Sequence, residues 1–169
     1  KDEIRPWAWK YRDYVVRSLN SDKSYDRFII EQLAGDELAG PRAGDWTDRQ
    51  IELLTATGFL RMAADGTGSG TNTAESRNRV MSDTLKIVSS SLFGLSLACA
   101  QCHNHRYDPI PQTDYYALRA IFEPALDWKK WQTPQQRRIS LYTASDRKRA
   151  TKIEAEAAKI IAAKKSKQA

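Results

Sequence analysis

Met81-Ser82-Asp83-Thr84-Leu85-Lys86-Ile87-Val88-Ser89-Ser90-Ser91-Leu92 is the stretch that decides the fold. Met81, Leu85, Val88 and Leu92 recur at i, i+4, i+7 and i+11, the spacing of one buried face of an α-helix. Thr73 stands where an N-cap is expected, so the pattern predicts a long helix over about 74–93. Arg77, Arg79 and Asp83 lie on or beside its polar flank. The chain then runs through Phe93-Gly94-Leu95-Ser96-Leu97-Ala98 into Cys99-Ala100-Gln101-Cys102-His103-Asn104-His105-Arg106-Tyr107-Asp108-Pro109-Ile110-Pro111. Both cysteines and both histidines of the protein lie within this run, the four inside seven residues. The cluster therefore hangs from the end of a well-anchored helix, the rigid support that a metal or haem site needs.

Outward from that helix the chain reads as further helices. Toward the N-terminus, residues 6–20 place Pro6 in a first turn and set Trp7, Tyr11, Val15 and Leu19 on one apolar stripe. Ser24 caps a second helix, with Asp26 in its first turn, Phe28, Ile29, Gln32 and Leu33 along it, and Gly35 as its end. Gly35–Asp45 reads as a loop. Thr47-Asp48-Arg49-Gln50 matches a capping box, opening a third helix with Ile51, Leu54 and Thr55 on one side and its end near Gly58. Residues 63–72 read as a mobile surface loop, for they lack the Walker lysine of a phosphate loop and hold only Asp65 as a carboxylate. On the C-terminal side, Asp108-Pro109-Ile110-Pro111 must turn and extend. Thr113 then caps a fifth helix, Asp114 to Phe122, with Tyr115, Leu118, Ile121 and Phe122 inward. Residues 127–143 hold Trp128, Trp131 and a short predicted strand, Arg138–Thr143. A last, basic helix starts at Ser145 or Asp146 and carries Ile153, Ala157, Ile160 and Ile161.

The fold class is thus mostly α: a compact helical domain over 1–126 with a loop-borne C-x-x-C-H-x-H site, followed by a basic linker and helical extension over 127–169. The charge follows that division. Of the net +6, residues 1–126 contribute −2 and residues 127–169 contribute +8. A near-neutral body argues against nucleic-acid binding, and Trp128-Lys129-Lys130-Trp131 reads as a solvated face with packed tryptophans. No run of about 18 apolar residues exists, so no membrane span is expected. Two cysteines at i, i+3 exclude a framework of disulfides between distant segments. The sequence has no nucleophile elbow, no H-E-x-x-H and no paired acids for general acid–base work. Asp36-Glu37 reads as surface charge at a helix end. The chain opens without an initiator methionine and reads as a mature product or as a segment of a longer protein.

The chemistry is concentrated in the cysteine cluster. C-x-x-C-H is the attachment signature of a c-type haem: Cys99 and Cys102 would form thioethers to one porphyrin, and His103 would ligate its iron. His105 cannot be the sixth ligand of that iron. Two residues of chain span at most about 7 Å, whereas imidazoles on opposite faces of a haem need Cα atoms roughly 12 Å apart. His105 is left to a second cofactor, a haem propionate, a carboxylate such as Asp108, or a hydrogen-bonded structural role. Met62, at a loop edge, is a candidate distal ligand, whereas Met81 belongs to the packed stripe. Zinc is the alternative cofactor, since Cys99, Cys102, His103 and His105 supply four N/S ligands, although structural zinc usually draws ligand pairs from separate segments. A dithiol–disulfide couple and a divalent ion held by the histidines and Asp108 are further readings.

Three stretches resemble a family of unknown function that accompanies planctomycete cytochrome c domains. They are Tyr25-Asp26-Arg27-Phe28 through Glu31-Gln32-Leu33-Ala34-Gly35-Asp36-Glu37-Leu38, then Ala56-Thr57-Gly58-Phe59-Leu60-Arg61, and then Gly94-Leu95 with Cys99-x-x-Cys102-His103-x-His105-Arg106-Tyr107-Asp108-Pro109-Ile110, Gln112 and Asp114-Tyr115-Tyr116. The resemblance covers about residues 7–125. It implies a haem-associated, extracytoplasmic (periplasmic or secreted) setting. The partners it implies are other domains of the same longer protein, including a separate cytochrome c domain, and a redox partner protein. The leading expectation is a c-type haem module for electron transfer. The alternative is a zinc- or metal-stabilised interaction or accessory domain of a large secreted protein, for example in extracellular polymer breakdown.

Overall fold

The computed structural model describes residues 6–64, 73–125 and 138–166. In chain order these form α1 (Ala8–Asn20), α2 (Tyr25–Ala39), α3 (Asp48–Ala56), a 3-10 turn (Thr57–Arg61), α4 (Ala74–Leu92), a second 3-10 turn (Leu97–Gln101), α5 (Gln112–Phe122) and α6 (Ala144–Ser166). The described residues are mostly helical and contain no strand. Trp128, Trp131 and residues 65–72 of the expected loop lie outside them.

α4 is the spine, as its stripe predicts: Met81, Leu85, Val88 and Leu92 are all buried. Thr73 caps it, its hydroxyl accepting from the Ser76 amide at 3.1 Å. One end of α4 packs with the site. Met81 and Leu85 meet Leu97 and Ala100 of the second 3-10 turn and Tyr115 of α5, with Ile110, Leu118 and Phe122 around them. The other end joins Val88 and Leu92 to Phe59, bordered by Tyr11, Ile29, Leu33 and Leu60. Phe122 touches both clusters. Met81 is therefore core packing.

Several faces differ from the sequence expectation, each for a long-range reason. α1 buries Tyr14 and Ser18, whereas Trp7 is 58% and Leu19 71% exposed. Tyr14 is drawn inward because its ring stacks on Phe28 at 5.9 Å and its hydroxyl donates to the buried Glu31 at 3.0 Å. The capping box of α3 forms as expected. Yet α3 packs on both α1 and α2, so Leu53 and Ala56 are buried while Ile51, Leu54 and Thr55 are only partly covered. In α5, Tyr115, Leu118 and Phe122 take the core side, which leaves Ile121 70% exposed. Thr113 does not cap α5; the helix starts at Gln112, one residue after Pro111. The expected strand Arg138–Thr143 does not form. Its carbonyls at Ser140 and Tyr142 instead accept from the Arg42 guanidinium. α6 then starts at Ala144, whose amide is held by both carboxylate oxygens of Asp45. Its Ile153, Ile160 and Ile161 are exposed.

Gly35 does not end α2. The helix kinks at Ala34 (φ −133°, ψ 26°) and continues to Ala39. A glycine is needed at this point because a Cβ there would lie 2.2 Å from the Leu53 backbone oxygen of α3. The backbone carbonyl cannot swing aside as a flexible side chain would. Gly35→Ala is expected to cost about 1–3 kcal/mol by overpacking, read as a fall in the urea midpoint at unchanged slope.

Candidate functional site

The site starts where α4 stops. Gly94 takes the left-handed conformation (φ +65°), open to glycine without strain. The Phe93 and Leu95 amides both return to the Ser89 carbonyl. That sharp reversal feeds the 3-10 turn Leu97–Gln101. At three residues per turn, side chains at i and i+3 share a side. Leu97 and Ala100 point into the core. Cys99 and Cys102, likewise three apart, are exposed and carry free thiols. Core packing thus presents both thiols to solvent one turn apart. α5 braces the turn from beneath, since Gln112 Nε2 and the Tyr116 hydroxyl both donate to the Gln101 carbonyl, at 2.9 and 3.2 Å.

His103 follows directly and is exposed. Its Nδ1 lies 2.7 Å from the Asn104 carbonyl oxygen. A carbonyl only accepts, so Nδ1 carries a hydrogen, and in the neutral ring Nε2 keeps the lone pair. This is the tautomer in which a second-sphere carbonyl orients a metal-bound imidazole. Asn104 also offers its side chain to α5, Oδ1 accepting the Gln112 amide at 2.9 Å.

His105 has a different task. Its side chain is 6% exposed. Nδ1 accepts the backbone amides of Asp108 at 2.8 Å and Tyr107 at 3.2 Å, so it is unprotonated. Nε2 therefore holds the hydrogen and donates to Ser96 Oγ at 2.9 Å, and Ser96 Oγ in turn donates to Asp108 Oδ2 at 3.3 Å. Ser96, His105 and Asp108 have the composition of a nucleophilic triad but the opposite polarity. A triad imidazole takes the serine proton, whereas His105 gives one to the serine. The ring instead holds the 105–110 turn, which the His105 amide closes on the Ile110 carbonyl at 2.9 Å. The Asp108 carboxylate stands 3.4 Å from Nδ1, but that nitrogen offers no hydrogen, so the ring reaches the carboxylate only through the Ser96 hydroxyl.

The sequence-predicted residues are thus only partly gathered. Cys99, Cys102 and His103 share one exposed turn. His105 is turned into the loop. Among the described residues no three His, Cys, Asp or Glu side chains come together as a group that could hold a metal ion. Met62 is exposed at the end of the first 3-10 turn, which packs on α1, α2 and α3, whereas the cysteine turn packs on α4 and α5. Sequence reasoning did not single out Ser96 or Asn104, and it named Gln112 and Tyr116 only among the residues of the family resemblance, with no role at the site. The only signal for the first two was their turn-forming residue type beside the cluster. No helix among the described residues is long and apolar enough to cross a membrane.

A family model with the description PSCyt2, protein of unknown function (DUF1549), matches residues 1–126. No curated protein and no solved structure matches the chain.

Proposed function

We propose, given that the chain belongs to the PSCyt2 family of unknown function, that its own site defines its role: a c-type haem-binding module for extracytoplasmic electron transfer. Cys99 and Cys102 would hold the haem by thioethers, and His103 Nε2 would ligate the iron. One observation carries the reading: two free, exposed thiols, one on the 3-10 turn and one at its C-terminal cap, are followed at once by an imidazole whose Nδ1–H is already donated. That donor set fits the group. Bound haem would supply one-electron transfer. The chain's own residues do the rest. Leu97 and Ala100 anchor the turn, Gln112 and Tyr116 brace it, and His105 with Ser96 and Asp108 fixes the loop beyond it. The partners that suit such a module are other domains of a longer protein, among them a separate cytochrome c domain, and a redox partner protein.

The test is to produce the full chain together with a cytochrome c maturation system and extract it with acid and acetone. The reading expects a haem absorption spectrum that stays with the protein. A colourless protein carrying about one zinc per chain and losing its fold to chelators would replace it with a metal-stabilised accessory domain.

A further inference from the structure

Asn104 makes two bonds in different directions. Its backbone carbonyl receives His103 Nδ1–H at 2.7 Å, and its side-chain Oδ1 receives the Gln112 amide at 2.9 Å. Gln112 is the first residue of α5, where backbone amides have no partner within the helix. Pro111, at the N-cap position, makes no side-chain cap. Asn104 therefore caps α5 from across the loop, eight residues away in sequence. The helix it caps is rigidly placed, because Tyr115, one turn on, is fully buried against Met81, Leu85, Leu97 and Ala100. The amide of His105, in the same peptide plane as the Asn104 carbonyl, closes on the Ile110 carbonyl, so that plane is held at its N–H while the Asn104 side chain is held at α5. A carbonyl fixed in this way selects one tautomer of the neighbouring imidazole. The alternative, with hydrogen on Nε2, would set the Nδ1 lone pair against the carbonyl oxygen.

We propose that Asn104 is a positioning residue: by capping α5 it aims its own carbonyl at His103 and keeps the Nε2 lone pair of that imidazole turned outward. The inference rests on the reading of His103 as the axial ligand for its purpose, but its geometry and its test do not. It makes α5 part of the site, since the end of that helix sets the orientation of the ligand. Other acceptors nearby do not replace Asn104. Ser96 Oγ is engaged with His105 Nε2 and with the Asp108 carboxylate, and the Gln101 carbonyl is taken by Gln112 and Tyr116.

The experiment is two-bond 1H–15N correlation on the full apo chain at about pH 9, where an ordinary imidazole is neutral. The wild type is expected to show His103 mainly as the Nδ1–H tautomer. In Asn104→Ala the ratio of Nδ1–H to Nε2–H is expected to fall about 5-fold, the change one net hydrogen bond is worth. Asn104→Asp keeps the acceptor and adds a charge favourable at a helix N-terminus, so it should restore the wild-type ratio. His105, held by Ser96 and the loop amides, serves as the internal reference and should keep its tautomer in all three. An unfolded Asn104→Ala would show as a change at His105, and Asn104→Gln, with the same group on a longer arm, would then be read in its place, with the same fall expected. A ratio that does not move in a folded variant, or that Asp does not restore, overturns the proposal. Covalent haem is scored on the same proteins after maturation. A wild type that takes no haem while the tautomer shifts as expected refutes the haem reading and leaves the positioning role standing.

Discussion

Glu31→Gln is expected to cost about 3–5 kcal/mol of folding stability, the range for removing one partner of a buried ion cluster. The Glu31 side chain is 1% exposed. It accepts from Tyr14 Oη at 3.0 Å, Lys23 Nζ at 2.6 Å and Arg27 Nε at 2.9 Å, and from the Arg49 guanidinium. These donors come from α1, the α1–α2 link, α2 and α3, so one carboxylate joins the whole N-terminal half. Glutamine keeps the shape but removes the charge and presents an amide that donates where donors already converge. Lys23, mostly covered, is then left with Glu52 at 3.8 Å as its remaining counter-charge. Arg27 and Arg49 are about half exposed and recover water, which keeps the loss from being larger.

The same cluster sets a pH signature. Burial alone would raise the Glu31 carboxyl, but the bonds from Lys23, Arg49, Arg27 and Tyr14 outweigh it and hold the group at about 2 against an ordinary 4.5. The folded value lies below the unfolded one. The carboxylate therefore contributes stability above about pH 4.5, and that contribution is lost as the pH falls toward about 2. Linkage over this interval amounts to about 3 kcal/mol. Urea unfolding of wild type and Glu31→Gln should differ most at neutral pH and converge in acid. A gap that is small at neutral pH, or that does not narrow in acid, would contradict the cluster as described.

The second large effect separates chemistry from folding. Cys99→Ser combined with Cys102→Ser is expected to abolish covalent haem altogether while leaving the melting curve of the apo chain in place. Both side chains are exposed and unpaired, so surface substitution there falls within about 0.5 kcal/mol. Either single variant should keep one thioether and an intact vinyl on the other side, visible as a red-shifted pyridine haemochrome. Acid-stable haem on the double variant would mean that attachment lies elsewhere in the chain. An unfolded double variant would mean that the thiols are structural.

What the sequence made legible was local. The α4 stripe, the Thr47–Gln50 capping box, the Thr73 cap and the spacing of Cys99, Cys102 and His103 are all set by residues within a turn or two of one another, and periodicity finds them. The features that escaped depend on distant partners. Glu31 carries no local signal of its burial, which comes from Tyr14, Lys23 and Arg49 gathered around it. Gly35 reads as a helix end because glycine commonly is one, and only the Leu53 carbonyl of α3 shows that it is a packing glycine. Trp7 and Leu19 read as core because their spacing is right, but only Tyr11 of that stripe packs on the core, since Tyr14 is bound to Glu31 and rotates the buried face of α1 toward itself and Ser18. At the site, the reach argument set His105 apart from His103, and the structure turns that ring into the loop. Reach alone could not supply Ser96 and the Tyr107 and Asp108 amides as what the ring binds, because a loop has no period from which to read them.

The central claim is that Cys99 and Cys102 carry haem covalently. Its most direct test is the intact mass of the full chain, made with a cytochrome c maturation system, then denatured and washed with acid–acetone. A single species heavier than the polypeptide by one haem is the predicted result. A bare polypeptide mass, with all haem in the wash or none present, would contradict it.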